Sequence, residues 1–188
     1  MTNLKIITST TRPGRSGVAV EKWFTALAKT KPEFNVELLD LSVINLPFMD
    51  EPNHPRLQKY QHDHTKQWSA KINEADAFII VLGEYNFSFP APIKNALDFL
   101  FNEWMHKPVG FVSYGGVSGG LRSTQMLKQV VTTMSMVPLT AQVNIPFFAK
   151  LIDENGEFQA NDVIIKSAEH TLLELEKWSE ALKPMRIK

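Results

Sequence analysis

Apolar residues follow two different spacings along this chain of 188 residues. Five short segments are rich in apolar residues and fit the strands of a buried sheet: residues 4–8, 34–41, 77–82, 109–114 and 139–145. Between them, apolar residues recur every three or four positions, as they do along one face of a helix. The pattern therefore predicts strands and helices in alternation.

The segments between and after the strands predict five helices. Four of them contain the periodic apolar residues, within residues 20–27, 93–104, 127–134 and 164–182, and a polar segment, 56–73, is also predicted to be helical. The apolar face of the segment 93–104 is made of Ile93, Ala96, Leu97, Leu100, Phe101 and Trp104. We expect a face this wide to pack on a second copy of the protein as well as on the sheet.

Alternating strands and helices predict an α/β sandwich, in which helices cover both faces of a parallel sheet. The loops that follow parallel strands lie at one edge of the sheet. Three of these loops are rich in polar, aromatic or glycine residues: 9–18, 83–90 and 113–120. We expect the functional site where these three loops meet.

Composition and charge narrow the classes of function. A hydrophobic content of 44% without a linker-like segment predicts one domain over residues 1–188. Twenty basic and twenty acidic residues give a net charge of zero, which does not favour a nucleic-acid partner. Cysteine is absent, and no segment has the pattern of a signal peptide or a membrane span. We therefore expect a cytoplasmic protein, without a membrane partner, that acts on a small molecule.

The first loop, STTRPGRSGV at residues 9–18, brings hydroxyl and guanidinium groups to the start of a predicted helix. N–H groups at a helix start, together with Arg, form a site for an anion such as phosphate. The loop lacks the motifs of triphosphate and dinucleotide loops, so a monophosphate fits best. The alternative is an ordinary polar turn that is capped by Ser16.

The second loop is rich in aromatic and polar side chains, which are Glu84, Tyr85, Asn86, Phe87 and Phe89. Such a loop can hold a flat heterocycle, with backbone amides at its edge and a ring against its face. Gly83, at the end of the strand, would permit an unusual backbone angle. The alternative is that the aromatic residues belong to the core or to a dimer interface, and that Pro90 and Pro92 only begin a helix.

The third loop, SYGGVSGG at residues 113–120, nearly matches a nucleotide-binding motif, but Val117 stands where the middle glycine is expected. Its glycines would allow the backbone to approach a flat ligand closely. The alternative is a flexible turn before a helix that is capped by Ser118.

No group of residues has the pattern of a metal or catalytic site. His62 and His64 are two positions apart on a predicted helix, so their side chains should point in different directions. No recognisable pair of nucleophile and base is present. Hydride transfer through a flavin requires no such pair, because the cofactor carries the chemistry. We therefore expect neither a metal ligand nor a catalytic side chain.

Taken together, the three loops resemble those of the NADPH-dependent FMN reductase family, which includes azoreductases and quinone reductases. The matching segments are STTRPGRSG, EYNFSFPAPIKNALDFL and SYGGVSGG, with DLSVINLPFMDEP as a weaker match. The resemblance implies a three-layer flavodoxin-like sandwich with a five-stranded parallel sheet of order 2-1-3-4-5. It also implies an FMN-dependent enzyme that uses NAD(P)H as co-substrate, reduces free flavin, a quinone or an azo compound, and forms a homodimer or tetramer.

The same resemblance assigns FMN-binding residues to all three loops. The FMN phosphate would be bound by Ser9, Thr11, Arg12, Ser16, Gly17 and Val18. The isoalloxazine ring would lie between Gly83, Glu84, Tyr85, Asn86 and Phe87 on one side and Tyr114, Gly115, Gly116, Ser118 and Gly119 on the other. The family usually has proline at the position of Gly83, which bears on how rigidly the edge of the ring is held.

Three loops around one flavin would leave one face of its ring open, so the two substrates would use that face in turn. This arrangement predicts ping-pong kinetics. The alternatives are a flavodoxin-like electron-transfer protein and a non-catalytic flavin-binding module. A net charge of zero argues against the electron carrier, because carriers that dock on proteins use a strong field of one sign.

For contact with the adenosine 2′-phosphate of NADPH, the sequence offers Arg15 and Lys107 as candidates. Asp40, at the end of the second strand, is interpreted as a residue that caps the following loop, because the glycine fingerprint that would accompany a ribose ligand is missing.

Overall fold

The computed structural model describes residues 1–186 and contains a strand in each region where the sequence predicts one. The strands are β1 (Thr2–Thr8), β2 (Phe34–Asp40), β3 (Ala77–Gly83), β4 (Pro108–Tyr114), β5 (Val137–Pro138) and β6 (Val143–Ile145). Every residue of β3 and β4 is buried, which is typical of central strands with helices on both faces.

Helices cover both faces of the sheet. They are α1 (Gly17–Lys29), α2 (Leu41–Ile44), α3 (Asp63–Asn73), α4 (Ala91–Asp98), α5 (Leu121–Thr133) and α6 (Asp162–Leu182). Helices α1 and α6 pack on one face, where Phe24 and Leu172 are buried. Helices α3, α4 and α5 pack on the other face, where Trp68 and Leu127 are buried. The result is the three-layer sandwich that the sequence predicts.

The strands are parallel and follow the order β2-β1-β3-β4-β5, with β6 also paired to β4. This order confirms the predicted 2-1-3-4-5 arrangement. The loops that follow β1, β3 and β4 therefore lie beside one another at the carboxyl edge of the sheet.

The fifth strand differs from the prediction for residues 139–145, because the chain contributes two short pieces in place of one strand. Both pieces, β5 and β6, pair with β4. Pro138 has no N–H to donate to a ladder. Leu139 still donates to the carbonyl of Val109 (2.9 Å), after which residues 140–142 leave the sheet and Val143 returns to it.

Helix α4 is shorter than the predicted segment 93–104. Its last turn is capped by two indole groups: Nε1 of Trp68 donates to the carbonyl of Ala96 (2.9 Å), and Nε1 of Trp104 donates to that of Leu97 (3.2 Å). Leu100 and Trp104 are buried although they lie beyond the helix. The apolar spacing therefore predicted burial correctly and the extent of the helix incorrectly.

The sequence predicts that this helix begins at residue 56, but α3 begins at Asp63. A short 3₁₀ turn at Pro55–Leu57 ends at Gln58, whose φ of 51° is left-handed. The chain before α3 is held by Glu51, whose carboxylate accepts the N–H groups of Gln61 (2.8 Å) and His62 (3.0 Å). Among residues 1–186, no helix is both long enough and apolar enough to cross a membrane.

Candidate functional site at the carboxyl edge of the sheet

The loops after β1, β3 and β4 meet at the carboxyl edge of the sheet, as the sequence predicts. Strands β1 and β3 are neighbours although β2 lies between them in the chain, so the winding of the sheet reverses at this point. The N–H of Gly83 donates to Oγ of Ser9 (3.3 Å), which joins the first and second loops. Oγ of Ser123, in α5, donates to the carbonyl of Gly83 (3.0 Å). Gly83 therefore links the loop after β1, the loop after β3 and the helix α5, which follows the third loop.

The side chain of Tyr114 fills the space beneath the three loops. It is 6% exposed, and its hydroxyl oxygen lies 3.2 Å from Oγ1 of Thr10. Its ring packs on Phe148 with 4.7 Å between the centroids. Burial raises the pKa of Tyr114, so the hydroxyl group stays neutral near pH 7. Tyr114 is therefore an internal support of the loops.

Two glycines make room for Tyr114. A Cβ atom at Gly17 would overlap with the Tyr114 hydroxyl, and a Cβ atom at Gly83 would lie 3.0 Å from Cγ2 of Thr10. The backbone at Gly83 does not adopt a positive φ. The expectation that Gly83 supplies an unusual backbone angle is therefore wrong, because close packing explains the glycine.

Residues 85–88 form a tight hairpin beyond β3. Tyr85 and Ser88 exchange two backbone hydrogen bonds of 2.9 Å, while Asn86 and Phe87 between them have φ values of 51° and 70°. Positive φ at both central residues is typical of a type I′ turn. Asn tolerates this conformation, whereas for Phe it costs about 1–3 kcal/mol. Phe87 is 64% exposed, so burial of its ring does not offset that cost.

A carboxylate joins the hairpin to the third loop and to α5. Oε2 of Glu84 accepts from Oγ of Ser118 (2.8 Å) and from the N–H of Arg122 (3.2 Å), and Oε1 pairs with the Arg122 guanidinium (3.0 Å). Burial alone would raise the pKa of Glu84, but hydrogen bonds from Ser118 and Arg122 outweigh burial and lower it. Glu84 is therefore ionised and fully engaged near pH 7.

Arg122 is a residue of the site that the sequence reasoning missed. It lies in the first turn of α5, where the positive end of the helix dipole disfavours a cation. A cation in that position indicates a nearby carboxylate, and this signal was available in the sequence. The N-cap of α5 is Gly120, with φ of 81°, so the alternative in which Ser118 caps the helix is wrong.

Arg15 points into the protein. Its Nη2 lies 2.6 Å from Oδ2 of Asp40 and 4.0 Å from Oε2 of Glu21. Asp40 also accepts the N–H of Ser42 (2.8 Å) at the start of α2, which confirms its interpretation as a capping residue. Arg15 therefore anchors the first loop to the end of β2, and its guanidinium is not exposed to a nucleotide.

Lys107 lies at the opposite edge of the sheet, just before β4 begins. Its Nζ donates to the carbonyls of Ile72 (2.8 Å) and Asn73 (3.2 Å) at the end of α3. Burial lowers the pKa of Lys107 to about 8. The expectation that Lys107 contacts a nucleotide at the three loops is therefore wrong, because its side chain caps a helix at the other end of the molecule.

Glu21 is a buried carboxyl group beneath the first loop, with 5% of its surface exposed. Burial and the nearby charge of Asp40 together raise the pKa of Glu21 to about 7, although Arg15 opposes the shift. Glu21 therefore changes its charge near neutral pH.

The outer surface of the first loop fits a phosphate group. Ser16 occupies the N-cap position of α1, but its side chain makes no capping hydrogen bond, so the alternative of a simple capping serine is wrong. The first turn of α1 contains no acidic residue. Arg12 is exposed and has no ion pair within the described part of the chain. Hydroxyl, guanidinium and helix N–H groups together suit a phosphate monoester.

The residues that the resemblance assigns to FMN fall into two groups. Those that are buried are Ser9, Gly17, Gly83, Tyr114 and Gly119. Those that are partly or fully exposed are Thr11, Arg12, Ser16, Val18, Glu84, Tyr85, Asn86, Phe87, Gly115, Gly116 and Ser118. The buried group packs the loops against the sheet, while the exposed group forms their outer surface.

A cavity of about 420 Å³ opens beside the first loop. Its walls come from Thr11, from the segment that follows β2 and from the first turns of α4. No charged side chain lines it, and Phe48, which is 87% exposed, stands at its rim. An uncharged cavity of this kind suits a flat, largely apolar ligand.

The sequence predicts that the side chains of His62 and His64 point in different directions, but in the structure they do not. Their rings are stacked, with 5.2 Å between the centroids and an angle of 6° between the planes. The reason is that His62 precedes α3 as its N-cap, so helical geometry does not separate it from His64. Nε2 of His64 lies 3.0 Å from Oδ1 of Asp50. Within residues 1–186, no group of three or more His, Asp or Glu side chains is arranged to hold a metal ion.

The sheet order and the loops at its carboxyl edge define the class of flavodoxin-like proteins. FerB, a flavoenzyme NAD(P)H:(acceptor) oxidoreductase from Paracoccus denitrificans, shares this fold with a TM-score of 0.77 and 20% identity, over 96% of this chain and 98% of FerB. Within that class, the chain belongs to the NADPH-dependent FMN reductase family, whose model matches residues 2–150. The family resemblance noted in the sequence is confirmed.

Sequence relatives agree with the family. An NAD(P)H-dependent FMN reductase of a Nectria species is 33% identical over 155 residues, which are 79% of this chain and 77% of that protein. An NAD(P)H-dependent FMN reductase of Schizosaccharomyces pombe is 38% identical over 133 residues, 70% of this chain and 66% of that protein. Further relatives are named as an NADPH:quinone oxidoreductase of Arabidopsis thaliana (35% identity, 53% of this chain and 50% of that protein) and an FMN-dependent NADPH-azoreductase of Staphylococcus saprophyticus (29%, 68% and 72%).

Replacing Gly17 by Ala should destabilise the protein, because the added methyl group overlaps with Tyr114. Overpacking of this kind costs about 1–3 kcal/mol, which lowers the Tm of a chain of this size by about 2–12 °C. Gly116→Ala is the matched control, because its Cβ would meet no atom within 4 Å. Thermal unfolding followed by circular dichroism measures both variants. An unchanged Tm for Gly17→Ala would show that Tyr114 moves aside without cost.

Replacing Glu21 by Gln should change how stability depends on pH. The pKa of Glu21 is about 7 in the folded protein against an ordinary value of 4.5, so the wild type loses stability as pH rises from 4.5 through 7. Gln does not titrate, so the stability of the variant relative to the wild type should increase by about 2.5 kcal/mol between pH 5 and pH 8. Urea unfolding at several pH values measures this difference. A difference that stays constant would contradict the raised pKa.

Proposed function

We propose that the protein is an FMN-dependent NAD(P)H oxidoreductase that reduces a small acceptor, which is free flavin, a quinone or an azo compound. The observation that carries the proposal is the set of unused phosphate donors on the outer surface of the first loop, at the point where the sheet reverses its winding. Membership of the FMN reductase family and the names of the relatives support the same function.

The first loop binds the FMN phosphate in this proposal. Thr11, Arg12 and Ser16 supply side-chain donors, and Gly17 and Val18 supply N–H groups at the start of α1. Ser9 acts from inside the protein, because its hydroxyl oxygen accepts from Gly83 and fixes the distance between the first two loops. A loop with one anion site fits FMN, which ends in a single phosphate monoester, better than FAD.

The second and third loops position the isoalloxazine ring. The hairpin of Tyr85, Asn86 and Phe87 offers rings and amides on one side, and the backbone of residues 114–119 lies on the other. FMN held between these loops would supply the redox chemistry, which is acceptance of hydride from NAD(P)H and delivery of electrons to the acceptor. Glu84 is a positioning residue, because its carboxylate is held by Ser118 and Arg122 and does not serve as an acid or base.

In this proposal, both substrates reach the flavin through the one opening that the three loops leave at a face of its ring. Hydrogen bonds through Glu84 and Ser123 hold the second loop to the third loop and to α5, and so fix the border of that opening. Nicotinamide and a flat acceptor must each stack in this opening, and they therefore occupy it one after the other. This constraint supports a ping-pong reaction.

We propose that the whole chain forms one FMN-binding domain that assembles as a cytoplasmic homodimer or tetramer. A largely apolar groove of about 610 Å³ lies between α4 and α5, with Phe101, Met126 and Val130 among its walls. An uncovered apolar surface of this kind is typical of an interface. A second copy related by a two-fold axis would cover the groove of each chain with the same surface of the other.

An electron-transfer protein with the same fold is the less favoured function. Such carriers dock on protein partners through a strong field of one sign, whereas this chain has a net charge of zero. The relatives with printed activities are reductases of small molecules. The kinetic test below separates the two functions, because an electron carrier does not oxidise NAD(P)H in steady state by itself.

Replacing Arg12 by Ala should weaken FMN binding more than riboflavin binding, because riboflavin has no phosphate. A charge-assisted hydrogen bond contributes about 1.5–3 kcal/mol, so the Kd for FMN should rise by about tenfold or more. Titration of the apoprotein, followed by quenching of flavin fluorescence, measures both ligands. Arg56→Ala, which removes an exposed arginine that stacks on Phe101, is the control. Equal losses for FMN and riboflavin would assign to Arg12 a role in shaping the loop.

The wild-type protein should take up FMN in preference to FAD and should oxidise NAD(P)H with menadione as acceptor. Double-reciprocal plots for NAD(P)H at several fixed menadione concentrations should be parallel, because the two substrates share one opening. NAD(P)H should also bleach the visible absorbance of the bound flavin when no acceptor is present. Absence of steady-state NAD(P)H oxidation would overturn the proposed function, while intersecting lines would overturn the shared opening alone.

A further inference from the structure

The proposed function leaves the negatively charged phosphates of NAD(P)H without a partner. The two cations that the sequence suggests for this role are both used inside the protein, since Arg15 binds Asp40 and Lys107 caps α3. Arg12 faces the proposed FMN phosphate. The chain has no net positive charge that would attract a nucleotide from a distance. An exposed cation beside the opening would supply the missing partner.

Arg122 has the position and the exposure that this role requires. It begins α5 immediately after the third loop, and its side chain is 45% exposed. Its carboxylate partner, Glu84, has a side chain that is only 9% exposed and lies on the inner side of the pair. A phosphate that approaches from solvent therefore meets the guanidinium before it meets the carboxylate.

The guanidinium of Arg122 is already oriented before any ligand arrives. Nη1 pairs with Oε1 of Glu84 (3.0 Å), and Cζ of Arg122 lies 4.2 Å from the centroid of the Phe87 ring. Only Nη1 has a hydrogen-bond partner within residues 1–186, so donors remain on Nε and Nη2. A guanidinium fixed in this way loses little conformational entropy when it binds an oxyanion, and its planar fork suits phosphate.

The cation–π contact also accounts for the strained hairpin. Phe87 holds a φ of 70° with its ring largely exposed, and the ring is covered on one face by Arg122. A cation–π pair at an exposed site contributes about 0.5–1 kcal/mol, which offsets part of the cost of the positive φ. The hairpin that borders the opening and the cation that stands beside it therefore hold each other in place.

We propose that Arg122 binds a phosphate group of the incoming nicotinamide nucleotide and so contributes to the recognition of NAD(P)H. This inference rests on the proposed function and goes beyond it, because it assigns the contact that the co-substrate makes outside the flavin. The N–H of Arg122 at the start of α5 already donates to Glu84, so the contact with a phosphate comes from the guanidinium. The chemistry is that of a phosphate dianion or diester bound by the remaining Nε and Nη2 donors of one arginine.

The test compares Arg122→Gln and Arg122→Lys with the wild-type holoenzyme in steady state. Arg122→Gln should raise the KM for NADPH by about tenfold or more, because a charge-assisted contact to phosphate is lost. The kcat at saturating nucleotide, the KM for menadione and the FMN content report on the positions of the loops, and the KM for NADPH should change by a larger factor than any of these. Arg122→Lys keeps the charge without the fork and should show an intermediate KM. Calorimetric titration with NADP⁺ should show the same order of Kd values without turnover.

NADH and reduced nicotinamide mononucleotide identify the phosphate. A rise in KM for NADPH alone assigns Arg122 to the 2′-phosphate, and equal rises for NADPH and NADH assign it to the pyrophosphate. Both results support the inference. A rise for the mononucleotide as well would assign Arg122 to the phosphate next to the nicotinamide ribose, which supports it too.

Lys150→Gln is the matched control. It removes one exposed positive charge near the same loop, where the N–H of the neighbouring Phe147 donates to the carbonyl of Gly116 (2.9 Å), but Lys150 has no carboxylate partner in the described part of the chain. If Lys150→Gln raised the KM for NADPH as much as Arg122→Gln does, a general electrostatic attraction would explain both results. That outcome would overturn the inference.

Two further results would overturn the inference. One is an unchanged KM for every nucleotide in Arg122→Gln, and the other is a loss of FMN in parallel with any rise in KM, which would show that Arg122 only positions the loops. If the wild type itself fails to oxidise NAD(P)H, the proposed function fails first, and the Kd for NADP⁺ then tests Arg122 separately.

Discussion

The packing of one buried tyrosine determines how the carboxyl edge of this sheet is built. The ring of Tyr114 is buried beneath the loops after β1 and β3, and its hydroxyl oxygen lies 3.2 Å from Oγ1 of Thr10. Glycine is required at positions 17 and 83 because any larger residue would meet that ring or its neighbours. This one side chain therefore limits how closely both loops approach the sheet. The outer surface of the loops is left free for a ligand.

Charged side chains add to the contacts that Tyr114 makes beneath the loops. Glu84 accepts hydrogen bonds from the third loop and from the start of α5, and it neutralises a cation that the helix dipole would otherwise disfavour. Arg122 in turn covers the ring of a residue that is held in an unfavourable conformation. Arg122 and the hairpin therefore stabilise each other, and together with Glu84 they hold the second and third loops as one border of the site.

The fold could be predicted from the sequence, because apolar spacing and strand alternation record burial directly. The three loops were also predicted, since composition and the family pattern both point to them. The contacts between side chains inside these loops were not predicted. The direction in which Arg15 points, the buried position of Ser9 and the pairing of Arg122 with Glu84 depend on residues far apart in the chain, and spacing along one segment does not encode them. The end of α4 was misplaced for the same reason, since indole groups of Trp68 and Trp104 cap it from outside the helix.

The interrupted strand beside β4 affects how the protein behaves at high concentration. A long free edge of a sheet is a template on which other chains polymerise. Here an approaching strand would meet only the two residues of β5 or the three of β6, and Pro138 offers it no N–H group. The opposite edge, β2, is seven residues long, but Glu37 on it is tied to Lys5 and Lys71, so a new strand would have to displace a network of charges. The break that removes regularity from one edge therefore protects the chain against aggregation through its sheet.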